Sequence, residues 1–416
     1  MRRNFSDWLD AYLNFMDDKW APGIYHQWTG LSVLSTGVER RVYLRVGKHG
    51  NMHLNMYLLL GGEAGVGKSS AIVPGTKFIQ DYNKTTRLPL YIAPDNVTVE
   101  KLITMLPGMQ KNMPGIKPGA TKFDYHTSCL FAADEGSASL KSIQGGGEIF
   151  PILTKFYDCP DLWTKGTIAG GDIISINNLC FGLIAGCTFD YLGKIITGDS
   201  IYGGFASRFI YVIFKDKLIR QVEWQGGENL DDPAVDKAHQ EYRMLLLADY
   251  AQIASLCGEI RGTKEFAAAY KVWYRQYQDA YHAHPNPKMK ALLARKPTNA
   301  LKLAGLMSVS AGNDMVMTLA HWERALAWLN ENEKSLPAML RESKATDIMT
   351  QEGLNNAIIV RLHKGSQSRA KMQSDLVMDG FDSKKVDATI GSMIAGNKIK
   401  SDAGKLTLLI NPDFDV

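Results

Sequence analysis

Residues 56–70 read MYLLLGGEAGVGKSS. The apolar run at residues 56–60 is typical of a buried strand, and a glycine-rich loop separates it from a helical pattern. Glycines let a backbone approach phosphates closely, and the free amides at a helix N-terminus attract anions. A strand before such a loop and a helix after it distinguish a phosphate-binding loop from a chance match. The stretch therefore predicts an α/β fold with a nucleotide site.

The residues of this loop have distinct expected roles. We expect Lys68 to reach the β- and γ-phosphates of ATP, and Ser69 to offer its hydroxyl to Mg²⁺. The residues expected at the nucleotide are Gly62, Gly65, Val66, Gly67, Lys68, Ser69 and Ser70. The alternative is a glycine-rich turn that carries a surface lysine.

Two adjacent carboxylates end a second apolar run, which reads SCLFAADE at residues 128–135. Neighbouring strand residues point to opposite sides, so the two acids need different roles. We expect Asp134 to hold Mg²⁺ and Glu135 to act as the general base that polarises the attacking water. A water-activating glutamate favours a hydrolase over a small-molecule kinase. The alternative is a strand that meets an ordinary turn.

A third apolar run, residues 179–186, is followed by Cys187 and Thr188. A polar side chain at the tip of a strand beside the acidic one can touch the γ-phosphate or its attacking water. Thr188 is the candidate for this sensing role. A threonine that caps the next helix is the alternative.

An arginine precedes the next apolar run, in GGFASRFIYV at residues 203–212. An arginine inserted from a neighbouring subunit can neutralise charge in the transition state of phosphoryl transfer. Arg208 is the candidate for this role. The alternative is a structural salt bridge at the start of a strand.

Composition limits the class of protein. The chain has 416 residues, enough for two or three domains, and 45% of them are hydrophobic. Its longest apolar runs stop short of the roughly 20 residues that span a membrane, and its first residues lack the apolar core of a signal peptide. Five cysteines without paired spacing argue against a disulfide framework or a zinc site. We therefore expect a cytoplasmic protein, and the net charge of +4 permits a nucleic-acid partner.

The pattern along the chain predicts four segments. They are a helical segment at residues 1–50, an ATPase core at 51–215, a helical segment at 216–342 where strands vanish, and a domain at 343–416. The strand candidates of the core are residues 56–60, 90–93, 128–133, 179–185 and 209–214. The last segment reads as three helices and a hairpin, with strands at 398–400 and 406–410, which describes a winged helix.

The ordered motifs resemble those of AAA+ ring ATPases. The phosphate loop, the acidic pair, the polar sensor and the arginine before a strand look closest to phage-encoded replicative-helicase-like ATPases, and more distantly to the superfamily 3 and MCM ring helicases. Residues 25–31 and 40–44 resemble the stretch that precedes the loop in the phage group. Residues 293–304 look like the lid helix with a second sensor arginine, so that Arg295 would contact the γ-phosphate, in cis or in trans.

This resemblance implies partners. It implies a homo-oligomer, a hexameric ring, that acts on single-stranded or forked DNA in the cytoplasm of a bacterial host cell. No primase-like zinc ribbon or polymerase motif precedes the ATPase, so priming would come from a separate primase or initiator.

Two glycine-containing segments are candidates for DNA-binding pore loops. They are residues 139–147, with Lys141, and residues 163–172, which read as a hairpin with Trp163 and Lys165. The lysines could pair with phosphates and the tryptophan could stack on a base. Ordinary surface turns are the alternative. In the last segment lysines and aspartates nearly balance, so the winged helix suits a DNA or a protein partner equally.

These features leave three functions open. The first is an ATP-driven ring helicase or translocase in phage or mobile-element replication. The second is an AAA+ helicase loader or protein remodeller. The third is a nucleotide switch that hydrolyses ATP poorly, and Glu135 and Arg208 argue against it.

Overall fold

The structure of the chain is a computed structural model. It describes residues 2–17, 20–47, 50–95, 97–113, 125–135, 149–166, 173–189, 191–192, 204–215, 233–337, 339–340, 351–363, 365–378, 381, 383–402 and 404–409. The chain divides into two units, residues 1–337 and residues 338–416. Among the described residues, no helix combines the length and the apolar character that a membrane span requires.

The first unit contains both helices and strands. Its described α-helices are α1 (Trp8–Met16), α2 (Gly23–Val38), α3 (Lys68–Asn83), α4 (Val99–Met105), α5 (Ile149–Tyr157), α6 (Pro233–Ile253), α7 (Lys264–Ala283), α8 (Pro287–Leu293), α9 (Lys296–Ala311) and α10 (Leu319–Glu333). Short 3-10 helices cover Glu39–Arg41, Leu106–Met109 and Ala206–Arg208. The strands are β1 (Val42–Arg45), β2 (Asn51–His53), β3 (Tyr57–Gly61), β4 (Tyr91–Ala93), β5 (Gln110–Asn112), β6 (Tyr125–Ala133), β7 (Leu162–Gly166), β8 (Ile173–Asn177), β9 (Leu179–Cys187), β10 (Phe209–Ile213), β11 (Gly258–Glu259), β12 (Arg261–Gly262) and β13 (Val316–Met317).

A central sheet organises the first unit. Its strand order is β10-β3-β9-β6-β4, with parallel neighbours throughout, and β5 pairs antiparallel with the start of β6. Gly61 is in register with both Ile213 and Cys187, and Ala133 is in register with Ala185. The carboxyl ends of β10, β3, β9 and β6 therefore meet at one edge, which we call the carboxyl edge. The strands begin at the opposite, amino edge.

The five strands predicted from the sequence are confirmed as β3, β4, β6, β9 and β10. All five residues of β3 are buried, because helices cover both faces of the sheet. Leu58 and Leu60 join the core that also contains α2 and α3. Tyr57 points to the other face, where its hydroxyl donates to the carbonyl oxygen of Leu153 in α5 at 2.9 Å. Because β3 is buried on both faces, its sequence does not alternate between apolar and polar residues.

One hydrophobic core joins segments of the first unit that are distant in sequence. Its buried members include Trp8 of α1, Leu60 of β3, Ala304 of α9 and Trp322 of α10. Helix α9 is buried at nearly every position from 299 to 310. The segments predicted separately at residues 1–50 and 216–342 therefore share one core with the sheet.

The prediction that strands vanish between residues 216 and 342 is wrong at three places. Strand β11 pairs parallel with β1, and β12 pairs parallel with β13. Each of these three strands has two residues. Two residues are too few for an alternating pattern to be visible in the sequence.

The second unit has its own core and its own sheet. Its elements are α11 (Gln351–His363), β14 (Gln367–Ser368), α12 (Arg369–Met378), α13 (Ser383–Ala395), β15 (Ile399–Asp402) and β16 (Lys405–Leu408). The sheet order is β14-β16-β15, and both pairings are antiparallel. Leu354, Met372, Ile390 and Leu406 are among the buried side chains that join the helices to the sheet. The predicted three helices and terminal hairpin are confirmed.

Candidate functional site

The predicted phosphate loop connects β3 to α3 at the carboxyl edge of the central sheet. Gly65 and Gly67 have φ values of +83° and +90°, which side chains with a β-carbon rarely adopt. Gly67 is the N-cap residue of α3, and no side chain caps this helix end by a hydrogen bond. The first amides of α3 are therefore available to an anion, which is the arrangement that binds phosphate.

Neighbouring segments fix the base of this loop. The Tyr25 hydroxyl donates to the carbonyl oxygen of Gly61 at 2.8 Å, and the Phe214 amide donates to the same oxygen at 3.0 Å. The amide of Gly62 donates to the carbonyl oxygen of Cys187 at 3.2 Å. A β-carbon on Gly62 would lie 2.7 Å from the Tyr25 hydroxyl oxygen, so this position needs glycine.

The segment before α2 packs directly on the loop. A β-carbon on Gly67 would lie 3.0 Å from Cα of Ala21, 3.2 Å from the Trp20 ring and 3.3 Å from Pro22. Sequence reasoning assigned no role to Trp20 or to the Tyr25 hydroxyl. The resemblance at residues 25–31 was the one signal for Tyr25, and no pattern in the sequence indicated Trp20.

Lys68 lies at the start of α3 and turns back over its own loop. Its amine donates to the carbonyl oxygens of Gly62 at 2.9 Å and Glu63 at 2.6 Å. Partial burial lowers the pKa of the Lys68 amine below its ordinary value. Ser69 is exposed and Ser70 is half-buried in the same first helical turn. The predicted phosphate-binding residues thus lie together in the loop and the first turn of α3.

The acidic pair lies at the same edge, directly after β6. Asp134 is half-buried and Glu135 is exposed, and the Glu135 amide donates to Oδ1 of Asp134 at 2.9 Å. Gly186 of β9 separates this pair from the loop. A β-carbon there would lie 3.3 Å from Cβ of Lys68 and would overlap the carbonyl oxygen of Asp134. The fold therefore brings the backbone of Asp134 close to the start of the Lys68 side chain.

The donors at this edge suit a magnesium ion bound jointly with phosphates. Mg²⁺ is usually held by one or two carboxylates together with phosphate oxygens and water. Asp134 supplies a carboxylate and Ser69 a hydroxyl beside the predicted phosphate position. No group of three or more His, Cys, Asp or Glu side chains that could hold a metal by itself occurs among the described residues.

Thr188 follows β9, the strand between the loop strand and the acidic strand. It is half-buried at the carboxyl edge. Its carbonyl oxygen accepts from the amides of Tyr191 at 3.1 Å and Leu192 at 3.0 Å, so it also begins a helical turn. Both predicted roles, the sensor and the helix start, are compatible with this position.

The two predicted arginines lie elsewhere, at the amino edge. Arg208 immediately precedes β10, whose first residue is in register with the first residue of β3. Because β10 has five residues, its carboxyl end, beside which the loop begins, lies roughly 13 Å from its first residue. The terminal nitrogen NH2 of Arg208 lies 2.9 Å from Asp158 Oδ2, and NH1 of Arg295 lies 3.4 Å from Asp158 Oδ1. Within one chain, neither guanidinium reaches the phosphate loop.

The predicted hairpin at residues 163–172 is present as β7 and β8. Trp163 is half-buried, and its ring meets Phe156 of α5 edge-on at 5.2 Å between centroids. Ile176, its partner across the hairpin, is fully buried. Lys165 is half-buried and lies on the same side of β7 as Trp163. The Trp163 ring is therefore engaged within the chain.

The turn of the hairpin, and Lys141 in the other candidate loop, lie outside the described residues.

The second unit carries exposed lysines at positions 384, 398, 400 and 405. Asp387 accepts from Arg369 at 2.7 Å and from Gln373 at 2.6 Å. Asp402 lies 3.9 Å from Lys400. Asp379 and Asp382, the other two acids of the predicted charge balance, lie outside the described residues, so that balance stays a prediction.

Neither a scan against protein-family models nor a search of curated proteins finds a match to this chain.

Proposed function

We propose that this chain is an ATP-hydrolysing ring helicase or translocase with an AAA+ core and a C-terminal winged helix, and that it acts on DNA in phage or mobile-element replication. One observation carries the proposal. Strand β9 separates the loop strand from the acidic strand, so that Lys68, Asp134 and Thr188 lie at the carboxyl edge. The order of these motifs along the chain resembles that of AAA+ ring ATPases. The arginines lie at the amino edge, where they could serve a neighbouring copy.

The residues at the carboxyl edge suit hydrolysis of the γ-phosphate. The amides of residues 65–69 and the Lys68 amine would hold the β- and γ-phosphates. Ser69 and Asp134 would hold Mg²⁺, which when bound neutralises charge on the phosphate oxygens. Glu135 is exposed beside Asp134, where it can accept a proton from the water that attacks the γ-phosphorus. The bond to the β–γ bridging oxygen breaks, and ADP and phosphate leave.

The arginines support assembly of several copies. A chain by itself holds Arg208 and Arg295 away from its own loop, so neither arginine can neutralise charge in the transition state at its own site. A second copy that presents its amino edge to the first would supply both arginines. Repetition of that contact closes a ring, and six copies are the number that the AAA+ resemblance favours.

The proposed DNA contacts come from residues outside the phosphate loop and the acidic pair. The hairpin of β7 and β8 carries Lys165, and the exposed lysines of the second unit offer further contacts to phosphates. Single-stranded or forked DNA is the proposed substrate, with a separate primase or initiator as a further partner in the bacterial cytoplasm.

The test is ATP turnover per chain, measured across protein concentrations with and without single-stranded DNA. We expect turnover to rise with protein concentration, to increase with DNA, and to be absent in Lys68→Ala. Strand displacement on a forked substrate separates the helicase from the alternative, a helicase loader or protein remodeller. ATP turnover that DNA does not stimulate, without displacement, would favour that alternative.

A variant pair tests the hairpin. Lys165→Ala should weaken single-stranded DNA binding and lower its salt dependence, because each lost phosphate contact reduces counterion release. Lys155→Ala, which removes an exposed lysine from the neighbouring helix α5, is the control. Equal DNA affinity of both variants at every salt concentration would exclude Lys165 from the DNA interface.

A further inference from the structure

Asp158 is a carboxylate shared by two arginines that are 87 residues apart in sequence. It follows α5 and uses one oxygen for each partner: Oδ2 lies 2.9 Å from Arg208 and Oδ1 lies 3.4 Å from Arg295. The Arg208 side chain is also anchored by its NH1 group, which donates to the carbonyl oxygen of Gly204 at 2.6 Å. One acid therefore fixes the relative position of both guanidinium groups.

The aromatic ring of Tyr157 lies beneath the same pair. The guanidinium carbons of Arg208 and Arg295 lie 5.8 and 5.6 Å from its centroid. The Lys302 amine lies 4.1 Å from it, and these distances are within the range of cation–π attraction. The Tyr157 hydroxyl is itself held, because it donates to Asn299 Oδ1 at 3.0 Å. Three cations thus surround the Tyr157 ring, and two of them share the Asp158 carboxylate.

This cluster has positive charge and donor groups in excess. Among the described residues, Asp158 is the one acid that pairs with either arginine, so the local balance favours an anion. The buried Nε of Arg208 has no hydrogen-bond partner in the described part of the chain. The Arg208 side chain is 9% exposed, whereas Arg295 and Asp158 are 32% and 45% exposed. The cluster can therefore be reached from outside the chain through Arg295.

We infer that Asp158 is a positioning residue that holds Arg208 and Arg295 together for the γ-phosphate of ATP bound by a second copy of this chain. The inference rests on the proposed function. Two guanidinium groups over one ring repel each other, and a carboxylate between them offsets that repulsion. It leaves N–H groups of Arg295, the more exposed of the two arginines, for the phosphate. Asp158 acts through the arginines and touches no reacting atom.

The test is the steady-state kinetics of Asp158→Asn. The substitution keeps the shape of the side chain and removes its charge. We expect kcat to fall by about tenfold or more while KM for ATP stays within about twofold, because the phosphate loop lies at the opposite edge. Asp161→Asn is the control: Asp161 lies three residues away, is 78% exposed, and pairs with Arg40 instead.

Two further variants separate positioning from a structural role. Asp158→Glu keeps the charge and should restore kcat to within about threefold of wild type. Adding Asp158→Asn to Arg295→Gln should lower kcat less than Asp158→Asn does alone, because the acid acts partly through that arginine. Thermal melting is recorded for every variant, so that loss of the fold is seen directly.

The outcomes distinguish this inference from the function on which it rests. Wild-type protein that hydrolyses ATP no faster than Lys68→Ala would overturn the proposed function and the inference with it. An active wild type with kcat unchanged or raised in Asp158→Asn would overturn the inference alone. So would a folded Asp158→Glu whose kcat is about tenfold or more below that of wild type. This measurement alone decides the matter if Asp158→Asn fails to fold.

Discussion

Gly186 lies against Lys68, so closely that a β-carbon on the glycine would stand 3.3 Å from the Cβ atom of the lysine. The same β-carbon would overlap the carbonyl oxygen of Asp134. Three elements meet here: the strand β9, the first turn of α3 and the end of β6. The distance between the phosphate loop and the acidic pair therefore depends on the absence of a side chain at position 186.

Gly186→Ala should push the loop and the acidic pair apart. We expect it to lower the free energy of unfolding by about 1–3 kcal/mol, as overpacking of a filled interior does, and to weaken ATP binding. Gly182→Ala is the matched control in the same strand, since a β-carbon there would meet its nearest atom, of Leu130, at an ordinary 3.4 Å. Isothermal titration with ATP and chemical denaturation measure both effects. If Gly186→Ala and Gly182→Ala had the same ATP affinity and the same free energy of unfolding, the close packing at Gly186 would be contradicted.

Glu135→Gln should bind ATP and fail to hydrolyse it. An amide cannot accept the proton of the attacking water, and loss of a general base lowers rates by roughly 10²–10⁴. Single-turnover hydrolysis and nucleotide titration measure the two properties separately. Glu100→Gln, which changes an exposed glutamate of α4, is the control. If Glu135→Gln keeps turnover within a few-fold of wild type, another group is the base.

Mixing two inactive variants tests whether Arg208 acts between copies. Arg208→Ala should bind ATP and hydrolyse it roughly 10³–10⁵ times more slowly than wild type, and Lys68→Ala should lose tight ATP binding. A mixed assembly contains interfaces with an intact loop facing an intact arginine, so activity should partly return. Each variant alone at the same total concentration is the control. No recovery in assemblies shown to be mixed would confine Arg208 to its own chain or to a structural role.

Loss of the hydroxyl should affect stability differently at two buried tyrosines, Tyr25 and Tyr12. Tyr25 donates to Gly61 at 2.8 Å, so Tyr25→Phe should lower the free energy of unfolding by about 1 kcal/mol. The buried Tyr12 hydroxyl has no hydrogen-bond partner among the described residues. Tyr12→Phe should therefore leave stability unchanged or raise it, because an unpaired hydroxyl no longer loses its water on folding. Urea denaturation measures both. A loss in Tyr12→Phe equal to that in Tyr25→Phe would contradict this assignment.

The parts of the site that the sequence predicted are those with local patterns. An apolar run of five residues specifies β3, and the spacing of Gly65, Gly67 and Lys68 fits the turn into α3. The end of β6 at the acidic pair is equally local, because Asp134 follows directly on an unbroken apolar run. Strand bounds were less accurate: β6 begins at Tyr125, three residues before the predicted start.

The contacts that complete the site depend on residues distant in sequence. Tyr25 is 36 residues from the carbonyl it supports, and Asp158 is 137 residues from Arg295. Nothing in the local pattern of GLIAG indicates that Gly186, and not Gly182, is the crowded glycine. The amino-edge position of Arg208 likewise follows from strand register, which pairs residues of separate strands.

The shared core of the first unit has a mechanical consequence. Because Trp8, Leu60 and Ala304 belong to one buried cluster, the sheet cannot hinge away from α9 without admitting water to that cluster. In the assembly proposed above, bending between the sheet and α9 would therefore be costly. An ATP-driven movement there would come from first units that tilt against one another.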